Sequence, residues 1–230
     1  LYVCAGKIDK HFFKRKVPME VIKNIIFDLG GVLIDLEPAY TEASFCALAG
    51  GREAYQAAQK AWEAQGLFVD LEVGKIGEQA FVEGIRAQLA DGASVAQIEM
   101  AWNMMLQHIP ARGLQLVADL RARGFGVYLM SNTNSIHLRD FRAIALREHG
   151  VEDFDALFDG AYYSHLIGAR KPDAAPFEYL VKDAQIDPRT ALFIDDNAPN
   201  LVGARQAGLH TLHHPANTPI DEHLKYYLQL

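Results

Sequence analysis

The chain has 230 residues, half of them hydrophobic and 22% charged, enough for one domain with a large insertion or for two small domains. Its net charge of −7 comes without a dominant basic stripe, so nucleic acid is a poor partner, and the one cationic cluster, Lys14-Arg15-Lys16, reads as a solvated tail. Two cysteines, Cys4 and Cys46, are too few for a disulfide framework and predict free thiols in a reducing cytoplasm; no run of about 18 apolar residues could cross a membrane.

The opening "LYVCAG" is too short and mixed for a signal sequence, and residues 1–18 read as an N-terminal extension before the Met19-led segment. Residues 21–27 (VIKNIIF) predict a buried strand that ends on Asp28 and is followed by Gly30 and Gly31. Residues 38–110, bracketed by Pro38 and Pro110, carry almost no strand signal. Three stretches there, 52–66, 77–90 and 94–109, predict helices, so this block reads as a helical bundle inserted after the first strand. Its large aromatic residues, Trp62, Trp102, Phe68 and Phe81, are expected to form the bundle's core.

Beyond residue 111 the rhythm changes to alternating helices and strands. Leu114, Val117 and Leu120 mark a helix over 112–123, closed by Gly124. Strands are predicted at 125–130, 160–164, 190–194 and 210–214. Helices are predicted at 136–148, 174–185 and 198–208. This alternation predicts an α/β fold with a Rossmann-like parallel sheet, its core built from 19–37 and 111–230.

In such a sheet ligands bind beyond the carboxyl ends of the strands. The predicted strand ends carry Asp28, Ser131-Asn132 and Asp195-Asp196, and Lys171 precedes a proline-started helix. Taken singly, each has an ordinary structural explanation as a turn, cap or solvated residue. Together they would gather three carboxylates, a hydroxyl, an amide and an ammonium in one crevice. Three close carboxylates repel, and a hard divalent cation such as Mg2+ relieves that conflict with oxygen ligands, waters and a substrate phosphate. Lys171 and Ser131 would serve the remaining phosphate oxygens, and Gly30 and Gly31 would let backbone N–H groups approach an anion. These parts suit phosphoryl transfer, with Asp28 able to attack phosphorus.

The four segments "FDLGGVL", "LMSNTN", "ARKPD" and "FIDDNAPN" resemble, in order, the four motifs of the haloacid dehalogenase-like hydrolase superfamily, with the insertion where its C1-type cap lies. The resemblance spans about residues 21–214. It implies Asp28 as nucleophile and Mg2+ ligand, and Ser131 and Asn132 as phosphate-binding residues. It also implies Lys171 as the stabilising lysine, Asp195 and Asp196 as metal acids, and the Gly30 carbonyl as a further metal ligand. A small phosphorylated metabolite is the implied substrate; neither composition nor motif fixes an oligomeric state.

Gly30 departs from the pattern, because family phosphatases usually carry there a second Asp that protonates the leaving oxygen. Such an acid is typically worth ~10²–10⁴-fold in rate. Three readings follow. The first is a phosphatase whose leaving group needs little protonation, as in members resembling sugar-1-phosphate phosphatases. The second is a phosphate-binding or regulatory module with weak turnover. The third is a 2-haloacid dehalogenase, which the paired acids at 195 and 196 disfavour. Asp35, or Glu72 in the insert, is a candidate substitute for the missing acid. His210, His213 and His214 alternate along a strand and present no ready chelate, and His137 reads as a helix-face residue. Hinges for a helical lid are expected near 35–38 and 108–113.

Overall fold

The computed structural model describes residues 22–89 and 92–228; the expected N-terminal extension, with Cys4 and the Lys14-Arg15-Lys16 cluster, lies outside them. β1 (Asn24–Phe27) leads into five helices: α1 (Pro38–Ala49), α2 (Arg52–Ala64), α3 (Leu67–Glu72), α4 (Glu78–Arg86) and α5 (Val95–Asn103). The chain continues through α6 (Ala111–Ala122), β2 (Gly126–Ser131), α7 (Ser135–His149), β3 (Gly160–Tyr163), α8 (Ser164–Ile167) and α9 (Ala175–Asp183). β4 (Ala191–Asp195), α10 (Ala198–Gln206), β5 (His210–His213) and α11 (Ile220–Leu228) complete it.

The strands form one parallel sheet in the order β3-β2-β1-β4-β5, which is the predicted fold class. Side chains alternate across it. Ile25, Phe27, Leu129 and Ile194 face α6, α7 and α11, where Leu116, Leu120, Phe141 and Leu224 meet them. Ile26, Met130 and Phe193 face α9 and α10, where Phe177, Leu180 and Leu201 close the second layer. All five residues of β4 are buried. Covering both faces explains why the strands read as continuous apolar runs, and each such large side chain contributes about 1.5–3 kcal/mol.

Among the described residues the insert holds five helices where three were expected. Pro38, read as a boundary, sits in the first turn of α1, where its missing N–H costs nothing; the helix ends on Gly50 in the left-handed region (φ 84°). At six residues, α3 is too short to show a period. α5 starts with a Ser94–Gln97 capping box. Phe45, Trp62, Phe81, Ile85 and Ile98 form a hydrophobic core of their own, which also takes Ile136 from α7; Phe68 and Trp102 pack against it half-buried.

The two connections between insert and sheet lie side by side. Asp35 and His108, then Glu37 and Met105, are joined by backbone hydrogen bonds: Asp35 N–H to His108 O at 3.0 Å, Gln107 N–H to Asp35 O at 3.0 Å and Glu37 N–H to Met105 O at 2.9 Å. The second linker is therefore shorter than the expected 108–113, since residues from Ala111 onward are already helix.

Candidate active site

Register places three strand ends at one level. Phe27 lies beside Leu129 of β2 and Ile194 of β4, so the residues that follow them converge at the carboxyl edge. Asp28 extends the ladder by donating its N–H to Ile194 O at 2.9 Å, while its Oδ1 accepts the Leu29 N–H at 2.7 Å. Lys171 Nζ lies 2.8 Å from Asp28 Oδ1 and 2.7 Å from Asp195 Oδ2, and donates to Met130 O at 3.2 Å. Its ammonium also sits 5.2 Å from the Phe193 ring centre. Lys171 is 1% exposed, so all three donors are spent inside the protein.

Asn132 explains how Lys171 is held. Its Oδ1 accepts the Lys171 N–H at 2.9 Å and its Nδ2 donates to Lys171 O at 2.9 Å. The amide expected to bind phosphate is thus committed to the lysine's own peptide groups, and Ser131 alone of that pair keeps its side chain for a ligand. Gly31 is likewise engaged within its own loop. Its N–H, expected to face an anion, is given to Ile34 O at 2.8 Å. What Gly31 supplies is close approach: φ is +72°, and a Cβ there would lie 2.8 Å from Asp196 Oδ2. The Gly30 carbonyl accepts no backbone N–H from the described residues, which leaves it open to a cation.

Asp28, Asp195 and Asp196 each offer an oxygen, and these lie within 4.8 Å of one another, the one group of this kind among the described residues. Hard oxygen donors fit Mg2+. Asp195 is fully buried and well supplied with donors: Asn197 N–H at 2.7 Å, both oxygens to Asn200 Nδ2 at 3.0 Å, and Lys171. Asp196 is more open. Asn200 was not singled out from the sequence, although it stands in the quoted fourth segment, five residues after Asp195.

One ammonium among three carboxylates leaves excess negative charge. Burial pushes the Asp28 carboxyl up to about 8, Lys171 opposing and Asp195 reinforcing. Burial and Asp195 also raise Asp196. Burial lowers Lys171, but Asp28 and Asp195 outweigh it and hold the ammonium above its ordinary range.

The two substitute acids part company. Asp35 pairs with His108 at 3.1 Å and lines a small cavity with Pro110, Arg112 and Thr218. Glu72, at the end of α3, lies 3.1 Å from Arg170, the neighbour of Lys171; burial raises its carboxyl, with Arg170 and Lys171 opposing. A Cβ on Gly30 would fall 2.6 Å from Leu36 Cδ1, so the space where an acid at that position would begin belongs to Leu36.

The histidines singled out from the sequence are engaged by neighbouring protein groups. His137 is buried, stacks on Trp102 at 4.8 Å and reaches its carbonyl at 3.1 Å. His210 bonds Arg189 O and His213 bonds Asp196 O. His214 is fully buried, with its Nδ1 3.0 Å from His223 Nδ1.

Residues 22–208 match the profile of the haloacid dehalogenase-like hydrolases. The chain belongs to this family. Among relatives of this hydrolase, a D-ribitol-5-phosphate phosphatase of Bacteroides thetaiotaomicron is 29% identical over 195 residues, covering 83% of this chain and 91% of the relative. A sesquiterpene phosphatase of Aspergillus oryzae is 31% identical, over 83% and 89%. A HAD-family enzyme of Bacteroides thetaiotaomicron, solved with magnesium and inorganic phosphate, is 33% identical with a TM-score of 0.77, over 86% and 96%. An L-2-haloacid dehalogenase at 20% identity and a TM-score of 0.58 shares the fold alone. The hydrolase thus stands among phosphatases, and Mg2+ is the cofactor of its kind. No helix among its described residues is long and apolar enough to cross a membrane.

Proposed function

We propose that the chain hydrolyses small phosphomonoesters through an aspartyl-phosphate on Asp28. The observation that carries this reading is the buried Asp28–Lys171–Asp195 arrangement beside the more open Asp196. An oxygen of Asp28 attacks phosphorus and forms the new bond as the bond to the organic oxygen breaks. The electron pair leaves with that oxygen, which takes up one proton. Water then attacks the same phosphorus, gives up a proton and releases inorganic phosphate, restoring the Asp28 carboxylate. Lys171 orients Asp28 and offsets its charge, and Ser131 donates to a phosphoryl oxygen. Asp28, Asp196 and the Gly30 carbonyl would hold Mg2+ with Asp195 behind them, and the ion would supply positive charge to offset that of the phosphoryl group. Residues 38–110 act as a lid whose closure excludes water, and the reaction belongs in the cytoplasm, with Cys46 a free thiol.

Two features bear on the substrate. With Gly30 unable to act as an acid, a leaving group of low pKa, such as the anomeric oxygen of a sugar 1-phosphate, needs little help. The likeness to a D-ribitol-5-phosphate phosphatase and a sesquiterpene phosphatase supports testing ordinary alkyl phosphates beside the sugar 1-phosphate. For such esters Glu72 is the proton donor this reading selects. Phosphate release should be measured with Mg2+ and with EDTA from glucose 1-phosphate, glucose 6-phosphate, ribitol 5-phosphate and farnesyl phosphate, alongside halide release from 2-chloropropionate. Mg2+-dependent phosphate release supports the proposal, and EDTA-insensitive halide release overturns it. Glu72→Gln should slow alkyl esters by about 10²-fold and aryl phosphates far less; equal turnover removes Glu72 as the acid. The apolar Leu36 contact at Gly30 favours one second reading, a phosphate-binding module with slow turnover. Tight Mg2+ and phosphate binding without ester cleavage would select it.

A further inference from the structure

The family match ends at residue 208, yet the end of β5 and the segment that follows it reach back into the site. The His214 N–H donates to Asp195 O at 3.0 Å, and His213 Nε2 lies 2.8 Å from Asp196 O. Asn217 completes the contact. Its own N–H donates to Gly31 O at 2.9 Å, its Oδ1 accepts the Leu36 N–H at 3.0 Å, and its Nδ2 donates to Leu36 O at 2.9 Å. Asn217 holds a left-handed backbone (φ 56°), a conformation that costs most residues energy and that Asn tolerates. Leu36 in turn presses Cδ1 into the space beside Gly30 and bridges Leu106 in the second linker.

We propose that Asn217 is a positioning residue: it clamps the first insert linker to the Gly30-Gly31 loop and so fixes both the cation ligands and the root of the lid. The chain of contacts is continuous. The amide holds the Leu36 backbone, the Leu36 side chain confines Gly30, and the Asn217 N–H holds Gly31 against Asp196. An exposed side chain with both amide groups committed to the backbone of one distant residue contributes little to solubility or to a core; its effect lies in where residues 30–36 sit. The proposal rests on the assignment of Asp28, Gly30 and Asp196 as the cation's ligands.

Asn217→Gly is the decisive variant, because glycine accepts the left-handed backbone and keeps the N–H to Gly31 while deleting both bonds to Leu36. Titrating Mg2+ calorimetrically into metal-stripped protein should show roughly tenfold weaker affinity, the low end of what supporting residues of metal ligands carry. Leu36→Ala should weaken Mg2+ to a similar degree, and the double variant should be no worse than either single one, since both act on one contact. Unchanged Mg2+ affinity in Asn217→Gly, or full additivity in the double variant, overturns the proposal even if thermal stability falls. Asn217→Asp keeps the acceptor for the Leu36 N–H and should lie between wild type and glycine. Because the readout is metal binding, it stands apart from the question of which ester is cleaved. A wild-type protein that binds Mg2+ but cleaves no ester would sink the phosphatase reading and leave the clamp to its own test.

Discussion

Two sets of ion pairs in this molecule have opposite characters. At the strand ends, Lys171 is 1% exposed and its partners Asp195 and Asp28 are 0% and 11% exposed. Across the seam between the helical insert and the sheet domain, Arg139 of α7 holds Glu78 and Glu99 at 3.0 Å each, but Arg139 is 55% exposed and the glutamates 33% and 27%. Breaking a buried pair strands a charge away from water and typically costs 3–5 kcal/mol, whereas an exposed pair is worth about 0–1 kcal/mol. For the proposed lid, this contrast sets a fixed centre beside an insert whose Arg139 pairs are weak enough to release.

The strongest challenge to this contrast is to remove the charge at its centre. Asp28→Asn keeps the shape and loses the attacking oxygen's charge, so turnover should fall on the order of 10³-fold or more with the fold retained. Substantial residual phosphatase activity in a variant with a native circular-dichroism spectrum would refute the nucleophile assignment. Lys171→Met comes next. It leaves Asp28 and Asp195 facing each other without their shared cation, and stability should drop by about 3–5 kcal/mol. For a chain of this size that lowers the midpoint by about 6–20 °C. A midpoint within a degree or two of wild type would mean the buried pair is not what fixes the centre.

His137 sharpens the comparison, because it lies on the seam and yet is buried. Burial holds its imidazole down at about 4, despite the nearby Trp102 carbonyl, against 6.5 in the unfolded chain. Between those values the unfolded state takes up a proton that the folded state refuses, so its contribution to stability is complete above 6.5 and is lost as pH falls towards 4. The loss amounts to roughly 3 kcal/mol at the acid end. Denaturant titrations at pH 7 and pH 4.5 should show a steeper decline for wild type than for His137→Gln. Parallel declines would show that His137 protonates freely and that the seam is wetter than its packing implies.

What the sequence disclosed follows the same division. Asp28, Ser131, Lys171, Asp195 and Asp196 were legible because each stands at a strand end or before a proline, where local pattern reveals position. The parallel sheet was legible because apolar runs and amphipathic helices alternate. Asn132 and Gly31 were placed at the site, but the use of their polar groups was not visible: whether an amide faces a ligand or a neighbouring peptide depends on a loop 39 residues away. Asn217 gave no signal at all, since it pairs with Leu36 across 181 residues and has no motif of its own. α3 and α8, at six and four residues, fall below the length at which a helical period registers.

The smallest effect is expected at the exposed fastening. Arg139→Ala removes both contacts to Glu78 and Glu99, yet stability should fall by no more than about 1 kcal/mol, because water solvates all three charges once they separate. The difference from wild type should shrink further in high salt, which screens exposed pairs and leaves buried ones almost untouched. If the insert is a lid, its closed state loses a little of its advantage, so KM should rise modestly while kcat holds, the reverse of the pattern at Asp28. A drop of several kcal/mol in Arg139→Ala, insensitive to salt, would place the seam in the same class as the strand-end site and remove the distinction between a fixed centre and a releasable insert.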